Sequence, residues 1–231
     1  MGILIFEHMA ARIFLAFCLI GILNGVGAQE NPASKYRMHL KLTGNVPHPV
    51  TNKAFRRSFI GVYDLALTYR LNIFAGFQAG IQGKHSMWKV PDNKIPGLNT
   101  VAQFNGGGLS IGYNHILGEV AVLYGEVNAG VMQVTYRGVS YDSLPDNFQT
   151  EYTINYGEAE FGAFFYTEGS FAIGMQTSFM FTNYQFDPYK LALDNHKAYL
   201  PGDLNGNVVT FRLGFSVYYS FLKQKGPPRA I

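Results

Sequence analysis

Two glutamates, Glu158 and Glu160, are the polar residues best spaced for chemistry, because they lie two positions apart in a segment that alternates polar and apolar residues. Side chains two apart on a β-strand share a face, so both carboxylates point the same way. Such a pair can act as general acid and base. It can also neutralise a buried cation, and Arg212 is the first candidate. The sequence favours this structural role.

Other residue types that support catalysis are scattered along the chain. His85 and Ser86 are adjacent and therefore point to opposite faces of a strand, which rules them out as a base and nucleophile on one face. A composite site of His85, Ser143 and Asp187 in the loops is an alternative, but no spacing fixes it. The six histidines show no metal-ligand spacing, and the glycines at positions 106–108 precede no helix. We therefore predict no catalytic residues, metal or cofactor.

The element that positions Arg212 is the alternating run at residues 208–221. From Val209 onward, every residue with the parity of Phe215 is large and apolar, whereas Arg212, Tyr218 and the small residues have the other parity. A face that is apolar along its whole length, backed by a polar face, is typical of a strand with lipid on one side and a polar interior on the other.

Eight segments of this kind follow one another. We predict strands over residues 35–42, 55–69, 72–82, 104–115, 119–136, 151–166, 170–184 and 208–221, with Pro47 and Pro49 ending the first one. The connections alternate between long loops and short turns. A spanning sheet cannot leave backbone groups unpaired in hydrocarbon, so the last strand must pair with the first. The predicted fold is all-β, an eight-stranded antiparallel up-and-down transmembrane β-barrel.

The polar parity of these strands predicts what fills the barrel. Eight strands enclose a space that side chains can fill, so the lumen should be plugged. We expect Arg212 to lie in one polar network with four carboxylates, which are those of Asp64, Glu126, Glu158 and Glu160. Aromatic residues at the strand ends should form two girdles. The outer girdle is expected to contain Phe59, Tyr152, Phe181 and Tyr184.

The first residues have the features of an export signal. Residues 3–23 are almost wholly apolar around Arg12, apart from Glu7 and His8, and Val26 and Ala28 suit a cleavage site after Ala28. We therefore predict a removed signal peptide at 1–28, a flexible N-terminus at 29–34, the barrel at 35–222 and a periplasmic tail at 223–231. Charged residues make up only 14 % of the chain and the net charge is +3, which argues against a nucleic-acid partner.

In this pattern the chain resembles the small eight-stranded outer-membrane barrels of Gram-negative bacteria, the outer membrane protein A and X type. Phe215, Val217, Tyr219 and Phe221 look like the C-terminal signal that the barrel-assembly machinery reads, although here the chain continues beyond the last aromatic residue. The resemblance implies a place in the outer membrane, with both termini in the periplasm. It also implies contact with outer-membrane lipids and lipopolysaccharide.

Fold alone does not give a function. We predict a non-enzymatic barrel that acts structurally or through its outer loops, on the cell surface or on another membrane protein. The loop residues expected to make these contacts are Trp88, Tyr141, Phe148, Tyr189 and Tyr199. One alternative is a lipid A acyltransferase or deacylase, although the His and Ser two apart that the deacylases carry are missing here. Another is a secreted lipocalin-like barrel, which would have an apolar interior and a polar exterior.

Overall fold

The structure, a computed structural model, describes residues 36–74, 76–95, 100–117, 121–138, 149–167, 170–191, 193 and 197–223. Eight antiparallel strands pair in chain order, and the last pairs with the first, so the sheet closes into a barrel. The prediction of an eight-stranded up-and-down barrel is confirmed. The strands are β1 (Tyr36–Pro49), β2 (Ile60–Phe74), β3 (Phe77–Lys89), β4 (Thr100–Leu117), β5 (Ala121–Gly138), β6 (Gln149–Tyr166), β7 (Phe171–Thr182) and β8 (Val209–Lys223).

The barrel has a stagger that can be read from its strand pairs. Moving from His39 through hydrogen-bonded partners once around the barrel leads to Pro49, a shift of ten residues (49 − 39 = 10). With the usual strand rise and spacing, this shift tilts the strands about 40° from the barrel axis. Each residue then advances about 2.5 Å along that axis.

The connections are short at one end of the barrel and long at the other. The turn end has the links between β2 and β3, β4 and β5, and β6 and β7, whereas the loop end has the other four links inside the chain. A short helix, α1 (Lys53–Ser58), lies in the first of the long connections, and 3₁₀ turns at Pro188–Leu191 and Pro201–Asp203 lie in the last. Among the described residues, no helix is long and apolar enough to cross a membrane.

The outer surface carries a continuous apolar band. Its midsection includes Leu42, Leu67, Ile81, Leu109, Ile173 and Phe215, each between 49 % and 68 % exposed. After correction for strand tilt, outward polar residues occur at one level toward the loop end, and we call them the polar ring: His48, Tyr63, His85, Asn105, Gln133, Asn155 and Asn183. The ring lies about 25 Å above the aromatic residues of the turn end, the height expected for a lipid-facing band.

Several local predictions are wrong. β1 does not end at Pro47 but pairs with β8 as far as Pro49. The prolines are tolerated because the register with β2 ends at Asn45, so beyond it β1 has a ladder on one side only. Residues 55–58, expected to open the second strand, belong to α1, where the Asn52 side chain accepts a hydrogen bond from the Phe55 N–H and caps the helix.

Three of the four residues expected in the outer aromatic girdle lie inside the barrel. Phe59 is fully buried inside the barrel, and Tyr152 and Tyr184 pack against the interior cluster, so of the four residues only Phe181 lies on the wall. Phe59 points inward because the register shifts between Gly61 and Tyr63, and this shift reverses the facing of the residues that precede it. Polar side chains of the ring mark this boundary of the band instead.

Candidate functional site

The lumen contains eight buried charged side chains in two tiers. The loop-side tier consists of Asp64, Lys84, Glu158 and Arg212. Arg212 Nη1 donates to Glu158 Oε1 over 2.7 Å, and Arg212 Nη2 lies 3.3 Å from Asp64 Oδ2. Lys84 forms an ion pair with Glu158 and lies 4.0 Å from Asp64. Two cations thus face two carboxylates at this level.

The turn-side tier consists of Lys41, Arg70, Glu126 and Glu160. Lys41 Nζ is 2.6 Å from Glu126 Oε2 and also pairs with Glu160, while Arg70 pairs with Glu126. This tier again balances two cations with two carboxylates. A buried charge is tolerated only when it is paired and hydrogen-bonded, and each described lumen charge meets an opposite one.

Neutral side chains connect the two tiers. The Asn45 side chain donates a hydrogen bond to Asp64 over 3.1 Å and accepts one from Gln176 over 3.0 Å. Gln176 in turn contacts the Tyr124 hydroxyl, and this hydroxyl lies 2.8 Å from Glu160. Arg212 therefore directly contacts two of the four expected carboxylates, Asp64 and Glu158. Glu126 and Glu160 instead face Lys41 and Arg70. Glu158 and Glu160 share a strand face yet belong to different tiers, so their carboxylates serve different cations.

Above the loop-side tier, an apolar plug closes the mouth of the barrel. The Phe55 ring of α1 packs on Phe59 with centroids 5.0 Å apart, on Trp88 at 5.2 Å and on Phe186 at 5.4 Å. Around them lie residues of the four strands β4 to β7 and of the last long loop, among them Phe104, Met132, Tyr136, Tyr156, Met180 and Leu193. Arg212 Nη2 contacts the Met180 sulfur at 2.7 Å, so the plug rests directly on the ionic tier.

A smaller aromatic layer fills the turn end. Phe164 and Tyr218 stack with centroids 4.2 Å apart, and Tyr124 approaches both rings at 5.8 Å. His39 lies nearby, between the Ser220 hydroxyl and Asn72. The lumen is thus filled at three levels, by aromatic residues, by two ionic tiers and by the apolar plug.

The glycines of β4 make room for this packing. A Cβ at Gly108 would lie 2.3 Å from the Ala129 carbonyl oxygen and 2.8 Å from the Tyr156 hydroxyl, and one at Gly106 would lie 2.5 Å from Met132. Both are closer than real Cβ contacts. The glycines therefore let bulky side chains of β5 and β6 reach the lumen.

The residues considered for catalysis lie apart. His85 is on the outer wall, where its Nε2 lies 3.0 Å from the Tyr63 hydroxyl and its Nδ1 2.5 Å from Asn105 Oδ1, while Ser86 is buried on the inner face. The Asp187 carboxylate accepts the backbone N–H of Tyr189. Ser143 lies outside the described residues. Within the described part of the chain, no three His, Cys, Asp or Glu side chains are grouped to hold a metal ion.

The five residues expected to make loop contacts have different positions. Trp88 is not in a loop: it lies in β3 and is fully buried in the plug, because β3 runs seven residues beyond its expected end. Tyr199 is in the last loop but is buried, with its hydroxyl 2.7 Å from Ser58. Tyr189 is 51 % exposed on the loop surface. Tyr141 and Phe148 lie outside the described residues.

The residues of the expected assembly signal lie on the outward face of β8. Phe215 and Tyr219 are 63 % and 49 % exposed, and Val217 and Phe221 are half-buried on the same face. The predicted signal peptide and N-terminus, residues 1–34, lie outside the described residues, as does the tail after Lys223.

Sequence reasoning missed two of the lumen cations. Lys84 lies beyond residue 82, where the third predicted strand ends, although it continues the inward parity of Gln78 and Gln82 and that periodicity is visible in the sequence. Lys41 alternates with the outward leucines of β1, but the predicted network pairs no carboxylate with it. α1 gave no comparable signal, since six residues are too few to show a helical period.

The chain is similar to solved structures of surface and outer-membrane proteins. Neisserial surface protein A matches with a TM-score of 0.49 and 9 % identity, covering 80 % of this chain and 97 % of that one. Ail, the attachment invasion locus protein of Yersinia pestis, matches with a TM-score of 0.40 and 12 % identity, covering 80 % of this chain and 99 % of that one. The outer membrane protease OmpT from Escherichia coli matches with a TM-score of 0.42 and 8 % identity, covering 80 % of this chain and 97 % of that one. No protein-family model and no curated protein matches the sequence.

The closed register, the apolar wall and the ion-paired lumen define this chain as a small transmembrane β-barrel. It has the fold of the eight-stranded outer-membrane barrels. The lipocalin-like alternative is wrong, because such a barrel would have a polar exterior, whereas here the charges are inside and the exposed band is apolar.

Proposed function

We propose that this chain is an integral outer-membrane protein that is closed to solutes and acts through the surface formed by its long loops. The observation that carries this proposal is the filling of the lumen. Between the Phe164 and Tyr218 stack at one end and the Phe55 plug at the other, both ionic tiers occupy the middle. A barrel filled in this way offers no path for a solute. We therefore expect the loop face to be the surface through which the protein acts.

The same proposal places both termini in the periplasm and the long loops outside. β1 begins and β8 ends at the turn end, and short turns on the periplasmic side are the rule for barrels of this type. The apolar wall would be in contact with outer-membrane lipids and lipopolysaccharide. Insertion would depend on the barrel-assembly machinery, and the loops would bind a surface molecule or another outer-membrane protein.

We further propose that the barrel has no enzymatic role. His85 contacts Tyr63 and Asn105, and these are neutral groups on the lipid-facing wall. Each of the four lumen carboxylates pairs with a lysine or arginine inside a closed interior, where no substrate could reach it. These contacts support a structural role for the residues that the sequence offered for catalysis.

Membrane topology can be tested with two single-cysteine variants. Leu200, 67 % exposed on the last loop, and Thr167, exposed at the turn end, are replaced by cysteine in separate variants. In intact cells, a membrane-impermeant maleimide should label Leu200→Cys, whereas Thr167→Cys should react only after the outer membrane is permeabilised. The unmodified chain controls for Cys18. The reverse labelling pattern would overturn the proposed orientation.

Closure can be tested separately by recording from planar bilayers. The purified barrel should give no steady conductance, because the ionic tiers and the plug fill the lumen. A stable open channel at low voltage would contradict the proposal and would make passage of solutes the leading function.

A further inference from the structure

Five cationic side chains from three loops converge above the apolar plug. We call them the basic cluster: Lys53, Arg56 and Arg57 of α1, Lys94 of the loop after β3, and Lys197 of the loop before β8. Lys94 Nζ donates to the carbonyl oxygens of Arg56 at 2.6 Å and Phe59 at 2.9 Å. Lys197 Nζ donates to the Arg57 carbonyl oxygen at 3.3 Å. Backbone carbonyls of α1 and its C-cap thus hold both lysines in place.

Carboxylates neutralise only part of this charge. Arg57 pairs with Asp203 at 2.5 Å, and the Arg57 side chain remains 40 % exposed. The sequence of the four long connections, residues 50–59, 90–99, 139–148 and 183–208, has six lysines and arginines and six aspartates, so these connections together have no net charge. The excess of positive charge is local: among the described residues, the five cations of the basic cluster meet one ion-paired carboxylate, that of Asp203.

The cations are close enough to affect one another. Burial lowers the pKa of the Lys94 ammonium, and the nearby Lys197 and Arg56 lower this pKa further. Burial and Arg57 likewise lower the pKa of Lys197. A bound anion would relieve this repulsion, so the cluster is already arranged for an anionic ligand.

The position of the cluster decides what kind of anion can reach it. α1 is anchored inside the mouth by Phe55, and the other two loops cross over it, so the cations lie above the lumen and not on the lipid-facing wall. Lipid phosphates surround the wall, whereas a soluble polymer approaches the mouth from outside. Tyr189, 51 % exposed on the same loop as Lys197, adds an aromatic ring on which a sugar can pack.

We propose that the basic cluster binds a soluble acidic polysaccharide that carries sulfate or phosphate groups. This inference rests on the proposed loop-mediated function and names the chemistry of its partner. Several flexible anionic groups along a sugar chain can meet cations that come from three loops, and the charge-assisted hydrogen bonds supply the binding energy.

The test is a binding measurement on the full chain in nanodiscs of zwitterionic lipid. Fluorescent dextran sulfate is the probe, and neutral dextran of the same length is the control ligand. The wild-type chain should bind dextran sulfate and not dextran, with an affinity that falls steeply as salt is added. Lys94→Gln with Lys197→Gln should weaken binding about tenfold or more, because two charge-assisted contacts are lost.

Two further variants separate binding from folding. Arg56→Gln changes an exposed side chain and leaves the carbonyl contacts of both lysines in place, so it should weaken binding while the barrel stays folded. Arg137→Gln removes an exposed cation at the rim of β5, outside the cluster, and should bind like wild type.

Three outcomes would overturn the proposal: no binding of dextran sulfate, equal binding by wild type and the Arg56 variant, or binding to anionic lipid vesicles without binding to dextran sulfate. If the cysteine labelling places the loops outside while dextran sulfate does not bind, the ligand class is wrong and the proposed function stands. If the loops are not outside, both are wrong.

Discussion

At the scale of single residues, Arg212 shows how closely the charges of this lumen depend on one another. It is fully buried and contacts both Asp64 and Glu158. Without it, Lys84 would be the one cation facing two buried carboxylates in the loop-side tier. Removal of one member of a buried ion pair is costly mainly because the remaining charge has lost its partner.

We therefore expect Arg212→Leu to lower the free energy of unfolding by about 3 to 5 kcal/mol. Urea unfolding of the barrel in lipid vesicles measures this change. Arg137→Leu, an exposed rim position, is the matched control and should have little effect. Adding Glu158→Gln to Arg212→Leu should recover part of the loss. Unchanged resistance to urea in the single variant would contradict the ionic-tier description.

At the scale of elements, α1 and β8 have opposite roles. α1 inserts Phe55 into the mouth, where it packs among aromatic rings, whereas β8 presents Phe215 to the lipid. Both side chains are phenyl rings, yet one stabilises the inside of the barrel and the other its outside. The two elements therefore respond differently to substitution.

Phe55→Ala should destabilise the barrel by about 3 to 5 kcal/mol, since it leaves a cavity in a packed aromatic cluster. Because the ionic tiers below the plug still fill the lumen, the variant should remain closed in bilayer recordings. Leu200→Ala, at a surface position of the same loop face, is the control and should be close to neutral. Opening of a steady channel by Phe55→Ala alone would show that the plug is the sole seal.

Phe215→Arg should cost about 2 to 4 kcal/mol if this position faces the middle of the membrane. Val50→Arg, placed above the polar ring at the loop end of β1, should cost about 1 kcal/mol or less. Both side chains are exposed and face outward, so the difference between the two variants reports how deep each position lies in the membrane. Equal and small effects in vesicle unfolding experiments would mean that the apolar wall does not contact lipid.

At the scale of the whole molecule, closure makes the barrel a single cooperative unit. Every strand, including β1 and β8, pairs with two neighbours, so no strand is an edge strand along its whole length. The apolar wall needs lipid or detergent around it, whereas the ionic interior needs the closed sheet. Folding and membrane insertion are therefore expected to be one event.

The folded chain should consequently migrate differently on a gel before and after boiling, and it should be found in the outer-membrane fraction. A chain shortened to end at Phe221 should show the same shift, since β8 then loses only Leu222 and Lys223. The boiled sample is the unfolded reference. A soluble protein whose migration does not change on heating would contradict the membrane barrel.

The sequence by itself determined the eight strands, their facing and the closure of the barrel. It could do so because a strand has a side-chain period of two, and the apolar and polar parities stay in phase along β8 and most of the other strands. Closure followed from the cost of unpaired backbone groups in lipid. The carboxylates of the lumen, Asp64, Glu126, Glu158 and Glu160, were found by the same parity.

Tertiary structure alone decided how these charges pair and what closes the mouth. Pairing of Arg212 with Glu158, and of Lys41 with Glu126, depends on the ten-residue stagger, which sets the height of each side chain and which no single strand encodes. α1 forms because Phe55 and Phe59 are buried by distant strands and by the last long loop, not because six residues have a helical preference of their own. Trp88 keeps the inward parity of Gln82 and Lys84, but only the pairing of β3 with β2 and β4 extends the strand far enough to place it inside the barrel.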